Sequence, residues 1–448
     1  MIFACCLIVL TSAAVKADKP DINQQCMAAA MASPLETGIP LVTDKRLNEA
    51  DSPATTFLFD RARTGRLPFC KGSQIEPELV WRFELPSFPP TGPESSPVFD
   101  KDMNSYFGAH DGCFYSLTRT GILRWMFKTR DKIYSSSALF DEKVVVCSGD
   151  GHCFCFGLDG TLLWSYDAAG YFKNSGRNLS KRMSLTYTKS VAKDQVRGKP
   201  WTTKCWSSPC ISEHGIVYIT CYGTGLHALD IENGKPLWTY DLGSPRNHLS
   251  GVALNEQGDI FVASQRRYFH SVSAEGKRRW RINVMAGYDA WGNPSIDCEE
   301  GTVYFSISRQ ETDGYVVATD YSGTVKWKTR IDGGVRGSVA VSRNNFVLVG
   351  GLNGRLYFLD KHSGTVIRAP KYSDAERGLW TTPSIDSDNN IFLTVKETRT
   401  SGGLYCIDEH GQTIWKYSTG KTLSTPVIDE EAKVYIGTWN GEFLCLQT

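Results

Sequence analysis

The sequence ALDIENGKPLW at residues 228–238 decides the fold of this chain. It joins a short apolar segment to a polar turn in which Gly234 permits a tight reversal, and the segment after the turn ends at Trp238. The same position is occupied in eight units, by Trp81, Trp125, Trp164, Trp238, Trp280, Trp327, Ile367 and Trp415. Most of these positions are 39 to 48 residues apart, so the chain is built from eight repeats.

Each repeat contains four short segments of β-strand character. The first begins with small residues and often a proline, at 95–97, 207–209, 292–294, 381–383 and 424–426, with weaker copies at Ser136, Ser250 and Gly337. The second is rich in β-branched and aromatic residues, the third alternates after a glycine turn, and the fourth ends at the tryptophan. This pattern predicts an all-β, eight-bladed β-propeller of four-stranded blades. A single blade leaves both faces exposed, whereas a ring of blades buries each face against a neighbour.

The two ends of the repeat region predict how the ring closes. The chain finishes at residues 441–446, a third strand with no tryptophan strand after it. The missing fourth strand occurs before the first complete repeat, at 78–84 with Trp81. We therefore expect this N-terminal strand to complete the last blade and to remove an exposed sheet edge. The alternative architecture, an open β-solenoid, does not need such a divided unit.

Composition and the N-terminus bound the class of protein. Hydrophobic residues make up 41% of the chain and the net charge is +1, which favours a folded protein and disfavours nucleic acid as a partner. The apolar run at residues 2–10 and the small residues after it predict a signal peptide at 1–17, with a buried N-terminal strand as the alternative. We expect a secreted or periplasmic monomer without a transmembrane span. An N-terminal extension at 18–77 would precede the propeller at 78–448.

Residues 228–238 resemble the tryptophan-docking motif of the PQQ-like (quinoprotein) β-propeller repeat family, and 318–327 resemble a shortened copy. The segment 59–68 also resembles the sequence that leads into many bacterial members. The family includes quinone-dependent alcohol dehydrogenases and the propeller lipoprotein of the outer-membrane β-barrel assembly machine. The chain resembles the lipoprotein more than the dehydrogenases, which are much longer. The resemblance implies the propeller fold more strongly than any one function.

The dehydrogenases of this family show which residues a bound quinone cofactor would require. Many of them place a disulfide between adjacent cysteines over the quinone and hold a calcium ion with Glu, Asn and Asp side chains. The adjacent pair in this chain is Cys5-Cys6, inside the predicted signal peptide, and the calcium ligands find no clear match. PQQ with calcium is therefore disfavoured, and it is kept as the cofactor of an alternative function.

The loops that lead into the first strands are predicted to surround one mouth of the central channel. Tryptophan stands three residues before the proline position in three blades, and charged or polar residues lie nearby. The candidate ligand-binding residues are Glu94, Tyr134, Lys204, Trp206, His248, Asp289, Trp291, Arg336, Arg377, Trp380 and Lys421. Aromatic walls with cations suit a small planar or anionic ligand. The alternative is that these tryptophans fill the channel or pack between blades.

A basic insertion lengthens the connection between blades 2 and 3. Residues 168–204 contain nine Lys or Arg residues and one acid, Asp194. One interpretation is a lid, or a docking patch for an acidic protein, an anionic glycan or a phospholipid surface. The other is a solvated surface loop. Asn178 lies in an N-glycosylation sequence, which matters only if the source is eukaryotic.

The cysteines and histidines predict little chemistry. Cys26 and Cys70 are the candidate disulfide, which would tie down the extension, and Cys147 and Cys153 flank a hairpin turn across which they could also pair. No metal site is predicted, because the chain has no paired CxxC motifs and no HExxH. The catalytic residues are unknown.

Two functions remain open on sequence alone. The first is an exported binding or scaffold module that uses its channel mouth and its basic loop. The second is an enzyme with its active site in the mouth, of which a quinoprotein-type oxidoreductase is one form. In an enzyme, Glu94, His248 and Asp289 would be the candidates for proton transfer.

Overall fold

Eight antiparallel four-stranded sheets form the propeller in a computed structural model that describes residues 55–67, 70–72, 74–86, 92–168, 170, 204–243, 250–264, 268–283, 287–309 and 312–448. Blade 1 contains β2 (Val98–Phe99), β3 (Ser105–Gly108), β4 (Cys113–Leu117) and β5 (Leu123–Lys128); blade 2 contains β6 (Ala138–Phe140), β7 (Lys143–Cys147), β8 (His152–Gly157) and β9 (Leu162–Asp167). Blade 3 contains β10 (Cys210–Ile211), β11 (Ile216–Cys221), β12 (Gly225–Asp230) and β13 (Pro236–Tyr240); blade 4 contains β14 (Val252–Leu254), β15 (Ile260–Ala263), β16 (Tyr268–Val272) and β17 (Arg278–Asn283).

The second half of the ring repeats this arrangement. Blade 5 contains β18 (Ser295–Asp297), β19 (Thr302–Arg309), β20 (Asp313–Asp320) and β21 (Val325–Asp332); blade 6 contains β22 (Ala340–Val341), β23 (Phe346–Gly350), β24 (Leu356–Asp360) and β25 (Val366–Arg368). Blade 7 contains β26 (Ser384–Ile385), β27 (Ile391–Lys396), β28 (Gly402–Ile407) and β29 (Thr413–Ser418); blade 8 contains β30 (Val427–Ile428), β31 (Lys433–Thr438), β32 (Glu442–Gln447) and β1 (Glu78–Glu84). The predicted eight-bladed fold is confirmed.

Ring closure follows the divided repeat. Strand β1 pairs antiparallel with β32, and Trp81 lies opposite Cys445. The N-terminal strand therefore completes the blade that the C-terminal strands begin, as the sequence predicted. Residues 1–54 lie outside the described residues, so the signal peptide and most of the extension stay predictions.

The repeated tryptophans join neighbouring blades on the outside of the ring. The indole of Trp164 donates a hydrogen bond to the carbonyl of Ile231 at 2.7 Å, and its ring lies against Gly234 of blade 3. A Cβ atom on Gly234 would lie 2.6 Å from that ring. Equivalent indole hydrogen bonds join Trp81 to Arg119, Trp125 to Leu158, Trp238 to Ala274, Trp280 to Tyr321 and Trp327 to Lys361. The glycine that follows the third strand is needed because the indole of the preceding blade occupies the space of a side chain.

The residue before the proline position joins blades on the inside of the ring. The first strands of neighbouring blades contact one another, which places them around the axis. The backbone N–H of this residue donates to the side-chain oxygen of its counterpart in the next blade, from Thr425 to Ser96, Ser96 to Ser136, Ser136 to Ser208, Gly251 to Asn293, Asn293 to Ser338 and Ser338 to Thr382. Small polar residues recur here because each supplies one donor and one acceptor to this belt.

The segment 55–67 lines the channel at the far end of the first strands. Its carbonyl oxygens accept hydrogen bonds from the backbone N–H groups of Leu139, Leu254, Ile296, Val341 and Ile385, which belong to the first strands of blades 2, 4, 5, 6 and 7. These N–H groups lie on the inner strand edges, where a buried unpaired donor would be costly. The segment therefore closes the inner edges that the ring itself leaves unpaired.

The cysteines pair differently from the sequence hypotheses. Cys205 and Cys221 form a disulfide between the lead-in to β10 and the end of β11. Cys147 and Cys153 lie opposite each other on β7 and β8, as their spacing suggested, but both are free thiols. Cys26 lies outside the described residues, so the Cys26–Cys70 bridge stays a prediction.

Candidate ligand-binding mouth of the channel

The candidate mouth consists of the loops that lead into the first strands and the turns that follow the second strands. Each first strand begins at the mouth and runs toward the segment 55–67. Of the eleven predicted residues, the structure describes ten, and His248 lies outside the described residues. The ten fall into two groups, one on blades 1 to 3 and one on blades 5 to 8.

The group on blades 1 to 3 is a row of aromatic rings. The imidazole of His110 lies 4.5 Å from the ring of Tyr134 and 6.0 Å from that of Trp439, measured between centroids. Tyr134 in turn lies 5.6 Å from Trp206 in an edge-on contact. The ammonium of Lys204 is 5.4 Å from the centroid of Trp206. Residues from blades 8, 1, 2 and 3 thus form one continuous surface.

Acidic side chains lie beside the basic side chains of this group. Nε2 of His110 lies 3.4 Å from Oε2 of Glu94, and Lys204 forms an ion pair with Asp131. Burial, together with the charges of Glu94 and Asp131, raises the pKa of Tyr134 to about 12. Tyr134 is therefore a neutral hydrogen-bonding group at physiological pH.

The group on blades 5 to 7 is a stack of guanidinium and indole groups. Cζ of Arg336 lies 3.4 Å from the ring centroid of Trp291 and 5.3 Å from that of Trp380. Arg377 lies 5.4 Å from Trp380, and its backbone adopts a left-handed conformation with φ of 63°. Arginine over the face of a tryptophan is a favourable cation–π arrangement. Asp289 is bound through its backbone to Ser308 at the end of β19.

Blade 8 supplies the last cation. The ammonium of Lys421 lies 3.1 Å from the ring centroid of Trp439. Desolvation lowers the pKa of Lys421, the positive charges of Lys396 and Arg377 lower it further, and Glu94 opposes them. Lys421 therefore lies near two cations of blade 7.

Sequence reasoning missed four mouth residues, His110, Asp131, Lys396 and Trp439. Three of them, His110, Lys396 and Trp439, lie at or just after the end of a second strand. A signal was available, because the turns that follow the second strand in every repeat must reach the same end of the ring as the predicted loops. Asp131 lies in a predicted loop, but only its ion pair with Lys204 shows its part in the mouth.

The described residues do not display a metal centre or a membrane span. Within them, no three His, Cys, Asp or Glu side chains come together as a set that could hold a metal ion. None of the helices in the described part of the chain has the length and apolar character needed to cross a bilayer.

The fold and the mouth together define an eight-bladed propeller of the tryptophan-docking type, with an aromatic and cationic surface at one end of its channel. The family model described as "Outer membrane protein assembly factor BamB" matches residues 174–305 and 270–448. Since these matches cover more than half of the chain, the protein belongs to this family of BamB-like PQQ-repeat propellers.

Two curated relatives match parts of the chain. The outer membrane protein assembly factor BamB of Yersinia pestis is 25% identical over 243 residues, which are 49% of this chain and 58% of that protein. The 1-butanol dehydrogenase (cytochrome c) of Thauera butanivorans is 36% identical over 122 residues, which are 24% of this chain and 17% of that protein. The chain thus spans less than two thirds of the length of either relative.

Solved structures support the fold. BamB from Moraxella catarrhalis aligns with a TM-score of 0.60 and 14% identity, covering 83% of this chain and 100% of the other. The computationally designed Ika8 protein aligns with a TM-score of 0.58 and 12% identity, covering 82% and 98%. At these identities the likeness concerns architecture alone.

Proposed function

We propose that this protein is a non-catalytic scaffold that docks a protein partner at the mouth of its channel. The observation that carries the proposal is the mouth itself, where aromatic and cationic groups from seven of the eight blades are held against one another. Side chains already stacked in this way lose little conformational freedom when a partner binds. Membership of a family described as an assembly factor supports a protein partner over a small substrate.

The described end of the basic insertion lies at the same surface. Its last residue, Lys204, lies at the mouth beside Trp206 and forms an ion pair with Asp131. Residues 171–203 lie outside the described residues, so their role as a docking patch for an acidic partner is part of the proposal. A basic segment beside an aromatic surface would speed the approach of an acidic partner and make its association rate sensitive to salt.

We also propose that the protein works in an exported compartment. The apolar N-terminal run supports this, as does the Cys205–Cys221 disulfide, since such bonds persist mainly in oxidising compartments. N-terminal sequencing of the protein purified from its source tests the proposal. A mature chain that begins at Asp18 is expected, and an intact N-terminus would contradict export.

Photo-crosslinking in the source cells tests the docking site. A photoreactive residue at Trp206 or Trp380 should capture one defined protein, and a variant lacking 171–203 should capture less of it. The matched control is a photoreactive residue at Leu237, which is 51% exposed on the outer strand β13. Capture that is equal from Leu237, or absent from both mouth positions, would contradict the proposal.

A quinoprotein-type oxidoreductase is the second candidate, because a segment of the chain is 36% identical to a 1-butanol dehydrogenase. The cations of the mouth could meet a quinone's carboxylates. The acids do not fit the calcium ion, since Glu94 of blade 1 faces His110 whereas Asp289 belongs to the loop before blade 5. We therefore derive no catalytic step through this cofactor.

Titration of the purified protein with PQQ and calcium separates the two functions. The scaffold proposal expects an unchanged absorption spectrum and no bound mass. A new absorption band that Arg336→Gln abolishes would replace the scaffold with the enzyme.

A further inference from the structure

The mouth is divided electrostatically into two halves. On blades 1 to 3 the mouth contains acids beside its basic side chains, since Lys204 pairs with Asp131 and His110 lies beside Glu94. On blades 6 to 8 the mouth carries four cations, namely Arg336, Arg377, Lys396 and Lys421. Among the described residues, neither Lys396 nor Lys421 forms a salt bridge, whereas the lysines elsewhere on the surface often do.

The cations of this second half are held close together by the backbone. Nζ of Lys396 donates a hydrogen bond to the carbonyl of Glu376 at 2.8 Å, and its backbone N–H donates to Gly378 at 2.9 Å. Both acceptors flank Arg377, so the end of β27 fixes the loop that carries this arginine. Lys421 adds a third positive charge, near enough that Lys396 and Arg377 lower its pKa.

Crowding of like charges is unfavourable unless an anion offsets it. Partial burial raises the cost of charging Lys421 most, and Lys396 and Arg377 raise it further, whereas Glu94 opposes them. The lysine is kept over the indole of Trp439, which stabilises the ammonium without neutralising it. A carboxylate placed among these groups would gain charge-assisted hydrogen bonds in a partly desolvated site.

We infer that the half-mouth formed by Arg377, Lys396 and Lys421 binds an acidic segment of the partner protein, which rests on the docking function proposed above. A peptide fits this site better than a membrane surface. Both lysines are partly buried, and Lys421 lies over the indole of Trp439, so an extended segment with carboxylate side chains could contact both the cations and the ring. The rings of Trp380 and Trp439 flank the cations and would pack against the side chains of the same segment.

Titration of the full-length mature protein with a blocked hexaglutamate peptide tests the inference. Binding is measured by tryptophan fluorescence and by calorimetry. Saturable binding that weakens with added salt is expected, and hexaglutamine should not bind. The double variant Lys396→Gln/Lys421→Gln should weaken hexaglutamate binding by at least about tenfold. The matched control is Lys235→Gln/Lys277→Gln, which removes the same charge from exposed turns at the opposite end of the blades and should bind as the wild type does.

A charge-preserving variant distinguishes the loss of a positive charge from the loss of folded structure. Lys421→Arg should retain binding, and the melting temperature of the double variant should match that of the wild type. If the double variant does not fold, Lys421→Gln alone carries the test, with a loss of at least about threefold expected. Equal binding of hexaglutamine, or no effect of these substitutions, would overturn the inference.

Two further experiments, vesicle binding and cross-linking at the mouth, separate this inference from the docking proposal. Vesicles of phosphatidylglycerol that bind in place of hexaglutamate would overturn the acidic-segment inference in favour of a membrane surface. Mouth cross-linking of a partner without hexaglutamate binding would refute the acidic site while the docking function stands. Hexaglutamate binding without any cross-linked partner would support the anionic site and refute the docking function.

Discussion

Nη2 of Arg63 donates a hydrogen bond to the carbonyl oxygen of Pro209, which lies 2.8 Å away and 146 residues later in the chain. The same guanidinium donates from Nε to Val252 at 3.1 Å and from Nη2 to Ser208 at 3.3 Å. Arg63 is completely buried, and that burial lowers its pKa. One side chain of the N-terminal segment thus holds the first strands of blades 3 and 4 to the channel lining.

Arg63→Ala should lower the free energy of unfolding by about 3–5 kcal/mol, because several buried carbonyls lose a charged donor at once. Urea unfolding followed by circular dichroism measures the change. Arg399→Ala, in an exposed turn of blade 7, is the control and should unfold like the wild type. Similar midpoints for the two variants would show that the segment 55–67 does not stabilise the ring.

Gly234→Ala tests the contact between the repeated tryptophan and glycine. Gly234 has a φ of 67° and a Cβ there would lie 2.6 Å from Trp164, whereas Gly258 has a φ of 76° with nothing within 4 Å. Both substitutions carry the left-handed backbone cost of about 1–2 kcal/mol. Gly234→Ala should lose a further ~1–3 kcal/mol from the clash. Thermal unfolding that gives equal losses would contradict this account of tryptophan docking.

Two buried histidines should make the protein sensitive to acid. Burial lowers the pKa of His227 and of His270 to about 3. Each histidine shares a hydrogen bond with a tyrosine of the preceding blade, His227 with Tyr166 and His270 with Tyr240. Their contribution to stability is complete above the unfolded-state pKa of about 6.5. It is lost as the pH falls from about 6.5 toward 3, since only the unfolded state then binds the proton.

Each histidine should contribute a slope of up to about 1.4 kcal/mol per pH unit in that range. Urea midpoints measured between pH 7.5 and 5 test this, with the double variant His227→Gln/His270→Gln as the comparison. The wild type should lose stability more steeply than the variant as the pH falls. Parallel curves would mean that the histidines are not held neutral in the fold.

Reduction should destabilise blade 3. Cys205 and Cys221 are 16 residues apart, and a loop of that size corresponds to about 3 kcal/mol in the chain-entropy description. A reducing agent should lower the melting temperature of the wild type and leave that of Cys205→Ser/Cys221→Ser unchanged. Non-reducing peptide mapping should link these two cysteines, and Cys147 and Cys153 should react with an alkylating agent once the protein is unfolded. An unlinked Cys205 would contradict the structure.

Much of the fold could be predicted because its signals are local and periodic. The regular recurrence of residues such as Trp238 and Trp280 marks the end of each blade, and Gly234 marks the turn that receives an indole. The divided last repeat, with Trp81 at one end of the chain and Cys445 at the other, was enough to predict closure. Small residues at Ser96 and its counterparts were recognised as a repeat, although their role in the inner belt was not.

The candidate site was less predictable because it depends on contacts between blades. Alignment on the proline position found Trp291, Arg336 and Trp380, since all three lie at one place in the repeat. It missed His110 and Trp439, which come from a different turn of the repeat and meet the predicted loops only in the ring. The Cys205–Cys221 disulfide was missed for a similar reason, because sequence spacing does not report which residues of two strands lie side by side.

The sequence by itself determined the number of blades, their four-strand composition and the closure of the ring, because periodic apolar and glycine patterns encode local strands and turns. Only the tertiary structure decided which charges face one another at the mouth, since Arg377, Lys396 and Lys421 come from separate connections that the ring brings together. It also decided the place of Arg63 in the channel lining. Such contacts depend on the circular arrangement of whole blades, a geometry that no short stretch of sequence contains.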